Sequence, residues 1–180
     1  MPPHCDTLDG PVVMAAKAAL ENANVNLILP WAPEAAESEI KSAFVKAQKA
    51  RKAGKEAAEV ADLWFFETVV RLHRAGEGAP YAGLKPAGLN AGPVIPKAEK
   101  ALETGDCGKV SSMLSAAVKE EVERRFGDAM SKKSYDADDV GAARAYVDAM
   151  LDFLLYSHHA YKSIRSGIRH GAAKEGGHGD

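Results

Sequence analysis

The feature that most constrains the fold is a helix-start pattern that occurs twice. Gly92-Pro93-Val94-Ile95 repeats Gly10-Pro11-Val12-Val13, and of the 15 positions that begin at Gly10 and at Gly92, seven carry identical residues. Self-similarity at a long offset is typical of a structural unit that is used twice in one chain. We therefore predict two copies of one unit, about residues 8–78 and about residues 90–166, related by a pseudo-two-fold axis.

Each copy has the residue pattern of helices. Proline at the first helical position, followed by apolar residues spaced three and four apart, favours a helix in both copies. The first copy predicts one helix from Pro11 to about Ala23, a second from Pro33 to about Lys52, and a third that ends at Gly76. The third helix has an apolar set that we assign to the core: Val60, Leu63, Trp64, Val69 and Leu72.

The final helix of the second copy is predicted from about Val140 to Ile164, with Asp136 or Asp138 as its N-cap. Together with the helices predicted for the rest of both copies, this gives an all-α fold, a helical bundle of about six helices. The chain length and a hydrophobic content of 46% suit one domain over residues 1–166. The Gly-rich polar residues 167–180 are typical of a disordered tail.

Charge and hydropathy exclude two classes of partner. Basic residues number 23 and acidic residues 25, so the positive field expected of a nucleic-acid binder is missing. Apolar runs fall well short of the roughly 20 residues that cross a bilayer, so we expect no membrane partner. The residues before His4 lack the basic and apolar regions of a signal peptide, so we expect the cytoplasm as the default location, or export if a leader has been removed. We expect Cys5 and Cys107 to be free thiols.

Residues 76–92 are too rich in glycine and proline for a helix or a central strand. Loops of this length inside a compact domain are uncommon and are often functional. The segment is therefore either a plain connection or part of a site, and Glu77 is its candidate catalytic residue.

His4-Cys5-Asp6-Thr7 lies just before the first helix. A helix N-terminus favours a thiolate over a thiol, which would make Cys5 a ligand or a nucleophile. Imidazole and thiolate donors suit Ni, Cu, Fe or Zn. The competing interpretation is a frayed chain end that carries an ordinary histidine and cysteine. Two adjacent donors cannot complete a four-coordinate shell, so other ligands must come from the helices.

Further donors lie on the third and last helices: Glu67 and His73 in the first copy, Asp152 and His158 in the second. The repeat places Glu67 opposite Asp152 and His73 opposite His158. Six residues of helix separate Glu67 from His73 by about 120°, so both cannot face one centre. We predict a metal shell drawn from His4, Cys5, His73, His158 and Glu67, with Cys5 and Glu77 as catalytic residues.

Two segments carry a resemblance to known proteins. The octet from His4 to Pro11, and the segment from His73 to Tyr81 with Gly83-Leu84-Lys85-Pro86, resemble an uncharacterised bacterial family. His4-Cys5-Asp6 is also similar to the nickel-binding hook of nickel superoxide dismutases, which implies a metal held by a histidine and thiolates before a helical bundle. Here Asp9 stands where the second hook cysteine would be, and His4 is not terminal.

These observations lead to one function hypothesis and its alternative. We predict a metal-binding helical protein, a redox enzyme that acts on a small oxygen species or a thiol through the His4-Cys5 site. The alternative is a non-catalytic helical protein that binds a small ligand or a partner beside the 76–92 loop. A small-molecule substrate or ligand is expected in either case, and self-association stays open.

Overall fold

The computed structural model describes residues 4–167, and the chain divides into two compact units at residues 92 and 93. Six α-helices are present in the described residues, without a β-strand, which confirms the all-α class and the number of helices. The first unit contains α1 (Pro11–Glu21), α2 (Glu37–Ala50) and α3 (Lys55–Gly76). The second contains α4 (Ile95–Thr104), α5 (Gly108–Lys132) and α6 (Val140–Arg165). The internal repeat and the single-domain boundary stay predictions.

The first unit has the larger core. Helix α1 begins after Gly10 with Pro11 at its first turn, and its apolar spacing buries Val12, Val13, Ala16, Ala19 and Leu20. Helices α1 and α2 both pack on α3, whose Phe65, Val69 and Val70 are fully buried. Three short 3-10 helices, Val25–Leu27, Leu29–Trp31 and Glu34–Ala36, connect α1 to α2. This connection lays Pro33 against Gly76, where an added Cβ would meet the proline ring at 2.6 Å.

The predicted core face of α3 is wrong at three positions. Val69 and Leu72 are buried, but Val60, Leu63 and Trp64 are 44% to 69% exposed. Val60 and Trp64 line an open apolar groove between α2 and α3. Apolar spacing shows which residues share a helix face but not how much of that face a neighbouring helix covers.

In the second unit, α5 and α6 form a long helical pair, and α4 packs on α5. Few side chains are buried here: within residues 93–167 only Ala129 and Ala149 fall in that class. The N-cap of α6 is Asp139, whose carboxylate accepts a hydrogen bond from the amide of Ala142, so the prediction of Asp136 or Asp138 is wrong. The helix otherwise follows its predicted bounds closely.

No helix within residues 4–167 combines the length and the apolar content that crossing a bilayer demands. The predicted disordered tail falls almost entirely on residues 168–180, which lie outside the described residues.

Candidate functional site

Residues 4–9, called the N-terminal segment below, lie against the first unit. Thr7 forms a parallel β-bridge with Lys85, in which the Leu8 amide donates to the Lys85 carbonyl at 3.0 Å and the Lys85 amide donates to the Asp6 carbonyl at 2.8 Å. The carboxylate of Asp9 accepts from the amide of Gly88 at 2.7 Å. The frayed-end interpretation is therefore wrong for residues 4–6, which are fixed by the 76–92 loop.

A tight turn joins this segment to α1. The amide of Thr7 and its hydroxyl both donate to the carbonyl of His4, at 3.1 Å and 2.9 Å. Gly10 packs on the same carbonyl so closely that an added Cβ would lie 1.9 Å from the oxygen. Only glycine fits at this position, since any side chain would displace the turn that holds His4 and Cys5.

Asp6 is the buried anchor of the segment. Its Oδ2 lies 2.5 Å from Nη2 of Arg74 on α3 and 3.0 Å from Nζ of Lys85 in the loop. Burial by itself would raise the pKa of Asp6, but the hydrogen bonds from Arg74 and Lys85 outweigh it and hold the pKa below its usual value. Asp6 is thus an ionised carboxylate that links three parts of the first unit.

Cys5 is 2% exposed, and its thiol is not part of a disulfide. Burial, together with the nearby negative charge of Glu77, raises the pKa of Cys5 to about 11, although Arg74 acts in the opposite direction. The prediction that the start of α1 favours a thiolate is therefore wrong, because desolvation exceeds the effect of the helix end. Cys107 is also a free thiol and is exposed, so the prediction of two free cysteines is confirmed.

His73 and Glu77 lie one turn apart at the end of α3, and both side chains are buried. Nδ1 of His73 lies 2.6 Å from the carbonyl oxygen of Trp31, while Nε2 lies 3.4 Å from Oε1 of Glu77. Of the predicted residues, Cys5, His73 and Glu77 are therefore all buried in the first unit, and the charge of Glu77 acts on Cys5. His4 lies at the edge of the same region, half-buried, through the turn described above.

Glu67 lies elsewhere on α3. It is exposed, and its carboxylate accepts a hydrogen bond from the hydroxyl of Tyr81 at 3.1 Å. Burial and this hydrogen bond raise the pKa of Tyr81 to about 12. Glu67 therefore orients the 76–92 loop through Tyr81 instead of facing His73.

His158 belongs to the second unit, on α6. Its side chain is exposed, and its ring centroid lies 5.8 Å from that of His159. On the neighbouring turn, Asp152 pairs with Arg125 of α5 at 3.2 Å. The role of His158 as a ligand stays a prediction.

Sequence reasoning missed the residues that fix the site, chiefly Arg74, Lys85 and the carbonyl of Trp31. Arg74 and Lys85 lie in the two stretches, His73 to Tyr81 and Gly83 to Pro86, on which the family resemblance was based. The resemblance in those stretches was the sequence signal that could have pointed to Arg74 and Lys85. Among residues 4–167, no three His, Cys, Asp or Glu side chains are arranged to hold a metal ion as they stand.

Fold and site together define a class: an all-helical protein in which a His-Cys-Asp segment is folded back onto the end of a long helix. Residues 9–156 match the model of DUF6448, a family of unknown function, and the chain belongs to that family. The resemblance to an uncharacterised family is thereby confirmed, and the likeness to the nickel superoxide dismutase hook stays a prediction. No curated protein and no solved structure matches the chain.

Proposed function

We propose that this protein binds a transition-metal ion through three buried residues of the first unit, Cys5, His73 and Glu77, with His4 as a further donor. One observation carries the proposal. The ring of His73 is held by a backbone carbonyl on one nitrogen and presents the other nitrogen to a buried carboxylate.

The chemistry of that histidine favours a cation. A carbonyl oxygen can only accept, so Nδ1 carries the hydrogen and donates it to Trp31. With Nδ1 as the donor, Nε2 is the ring nitrogen that faces Glu77. A ring nitrogen and a carboxylate oxygen held 3.4 Å apart and away from water are two donors that one metal ion can take. A backbone carbonyl that fixes the second ring nitrogen is also the usual support of a metal-binding histidine.

The raised pKa of Cys5 favours metal binding over a reaction in which the cysteine acts alone as a nucleophile. With a pKa of about 11, the thiol is protonated at neutral pH and is a weak nucleophile. A bound metal removes the thiol proton outright and is attracted by the charge of Glu77. Because no three donors are preassembled, the proposal requires Cys5 to move toward the His73–Glu77 pair on binding.

Sulfur, nitrogen and carboxylate donors together suit Zn, Fe, Ni or Cu. Glu77 would act as a ligand of the metal ion or as a proton carrier beside it. Glu67 has no place in the proposed shell because it is exposed and bound to Tyr81. Redox chemistry on a small oxygen species or a thiol remains the predicted reaction for the redox-active ions.

The test is metal binding by the untagged full chain. Purified protein is assayed for metal by elemental analysis, then stripped and titrated with Co²⁺, whose thiolate charge-transfer absorption reports a Co–S bond. We expect one ion per chain, with the absorption lost in Cys5→Ser and the affinity lowered about 10-fold to 100-fold or more in His73→Gln. Calorimetry in buffers of different ionisation enthalpy should show one proton released from Cys5.

Cys107→Ser is the matched control and should retain the ion and the absorption, since Cys107 is exposed on the second unit. Full metal retention in a His4→Ala, Cys5→Ser double variant with an intact circular dichroism spectrum would overturn the proposal. A metal-free protein whose melting temperature rises with a small metabolite would instead support the ligand-binding alternative.

A further inference from the structure

Helix α6 carries apolar side chains on two opposite faces. One face packs on α5: Ala149 is buried, Phe153 lies 5.5 Å from Phe126 between ring centroids, and Tyr156 lies under Arg125 at 3.8 Å. A helix that is apolar on one face only needs no further packing partner once a neighbouring helix covers that face. Packing against α5 therefore does not account for the apolar side chains on the other face of α6.

The second face has a regular spacing. Val140, Val147, Leu154 and Tyr161 follow one another at intervals of seven residues, and Leu151 lies between them. We call these five residues the α6 stripe. They are 41% to 65% exposed, and at ~100° per residue their centre lies about 150° around the helix from the Phe153 and Tyr156 side. A seven-residue apolar repeat is the pattern of a helix that packs along another helix.

We propose that the α6 stripe is the interface between two copies of this chain. With neighbouring Leu155, the stripe exposes on the order of 600 Å² of apolar surface, at the upper limit for a monomeric protein. Two copies together would bury on the order of 1,200 Å², the lower bound of specific interfaces. The area of two stripes packed together is therefore that expected of a small specific interface.

Symmetry supports the same occupant. Leu151 lies at the middle of the stripe, so a two-fold axis beside it would bring the stripes of both copies together along their whole length. On its Leu151 side the stripe is bordered by Arg144 and Asp148, which carry opposite charges, and His158 and Arg165 lie within its arc.

The test is the oligomeric state of the full chain, measured by sedimentation equilibrium and by light scattering after size exclusion. We expect the wild type to be a dimer. Leu151→Lys places a charge at the centre of the interface and should raise the dissociation constant at least about 100-fold. Leu102→Lys is the matched control: Leu102 is 87% exposed on α4, outside the stripe, and this variant should stay dimeric.

If Leu151→Lys loses helix content by circular dichroism, the double variant Leu151→Ala, Leu154→Ala decides, because alanine preserves the helix while removing the contact. That variant should be monomeric or in measurable exchange with monomer. A wild type that is monomeric at its highest soluble concentration, or a folded stripe variant that stays as tightly dimeric as the wild type, would overturn the inference. Neither result depends on metal binding, so this inference and the proposed function fail separately.

Discussion

Oδ2 of Asp6 lies 2.5 Å from Nη2 of Arg74, a residue 68 positions along the chain. The contact joins the N-terminal segment to the last turn of α3, next to His73. Both partners are largely removed from water, at 2% and 11% exposure. The position of Cys5 relative to His73 and Glu77 therefore depends on this ion pair.

Asp6→Asn should destabilise the first unit. The substitution removes the buried charge that both Arg74 and Lys85 contact, and we expect a loss of about 3 kcal/mol in the free energy of unfolding. Urea unfolding followed by circular dichroism measures the loss. Asp128→Asn is the control, since Asp128 pairs with Lys132 on an exposed face of α5 and should cost at most about 0.5 kcal/mol. Equal losses in the two variants would contradict the role of Asp6.

The same carboxylate predicts a response to acid. The pKa of Asp6 in the folded chain lies below its value in the unfolded chain, because of the hydrogen bonds from Arg74 and Lys85 that outweigh burial. As pH falls, the unfolded state takes up the proton first. The stabilisation is therefore fully present above about pH 4 and is lost as pH falls through the folded pKa. Asp6→Asn should flatten this part of the stability curve, and an unchanged acid slope would contradict the assignment.

Cys5 should be resistant to thiol reagents in the metal-free folded protein. At pH 8 a thiol with a pKa of about 11 is about one part in a thousand thiolate, and Cys5 is buried as well. Ellman's reagent should therefore modify Cys107 quickly and Cys5 at least about 100-fold more slowly. In denaturant, both thiols should react at similar rates.

Single-cysteine variants assign the two phases of that reaction. Cys107→Ser should remove the fast phase, and Cys5→Ser should leave it unchanged. Comparable native rates for the two thiols would show that Cys5 is open to solvent. Stability should also decline between about pH 9 and 11, because the unfolded thiol ionises before the folded one does.

Local signals in the sequence were enough for most of the fold. Pro11 and Gly76 determine helix ends through contacts within a few residues, and the predicted bounds of α1 and α6 and the predicted end of α3 agree with the structure to within a few residues. The exposure of Trp64 could not be predicted in this way, because it depends on where α2 crosses α3.

The site was predicted only in part, because it also depends on contacts between residues that are far apart in the sequence. Cys5, His73 and Glu77 stood out by residue type, but the docking of the N-terminal segment rests on the contacts of Asp6 with Arg74 and Lys85, which are distant from Asp6 along the chain. The pKa of Cys5 was predicted in the wrong direction because a helix end is visible in the sequence and burial is not.

Gly10→Ala tests whether the N-terminal segment must dock for the unit to be stable. The added methyl group would lie 1.9 Å from the carbonyl oxygen of His4, so the turn has to open and the Thr7–Lys85 bridge has to shift. We expect a loss of at least about 2 kcal/mol in the free energy of unfolding, together with faster modification of Cys5. Gly127→Ala is the matched control, because nothing lies within 4 Å of its Cβ position in α5 and alanine should stabilise that helix by about 1 kcal/mol. A Gly10→Ala variant as stable as the wild type, with Cys5 still protected, would show that the segment is not held by this turn.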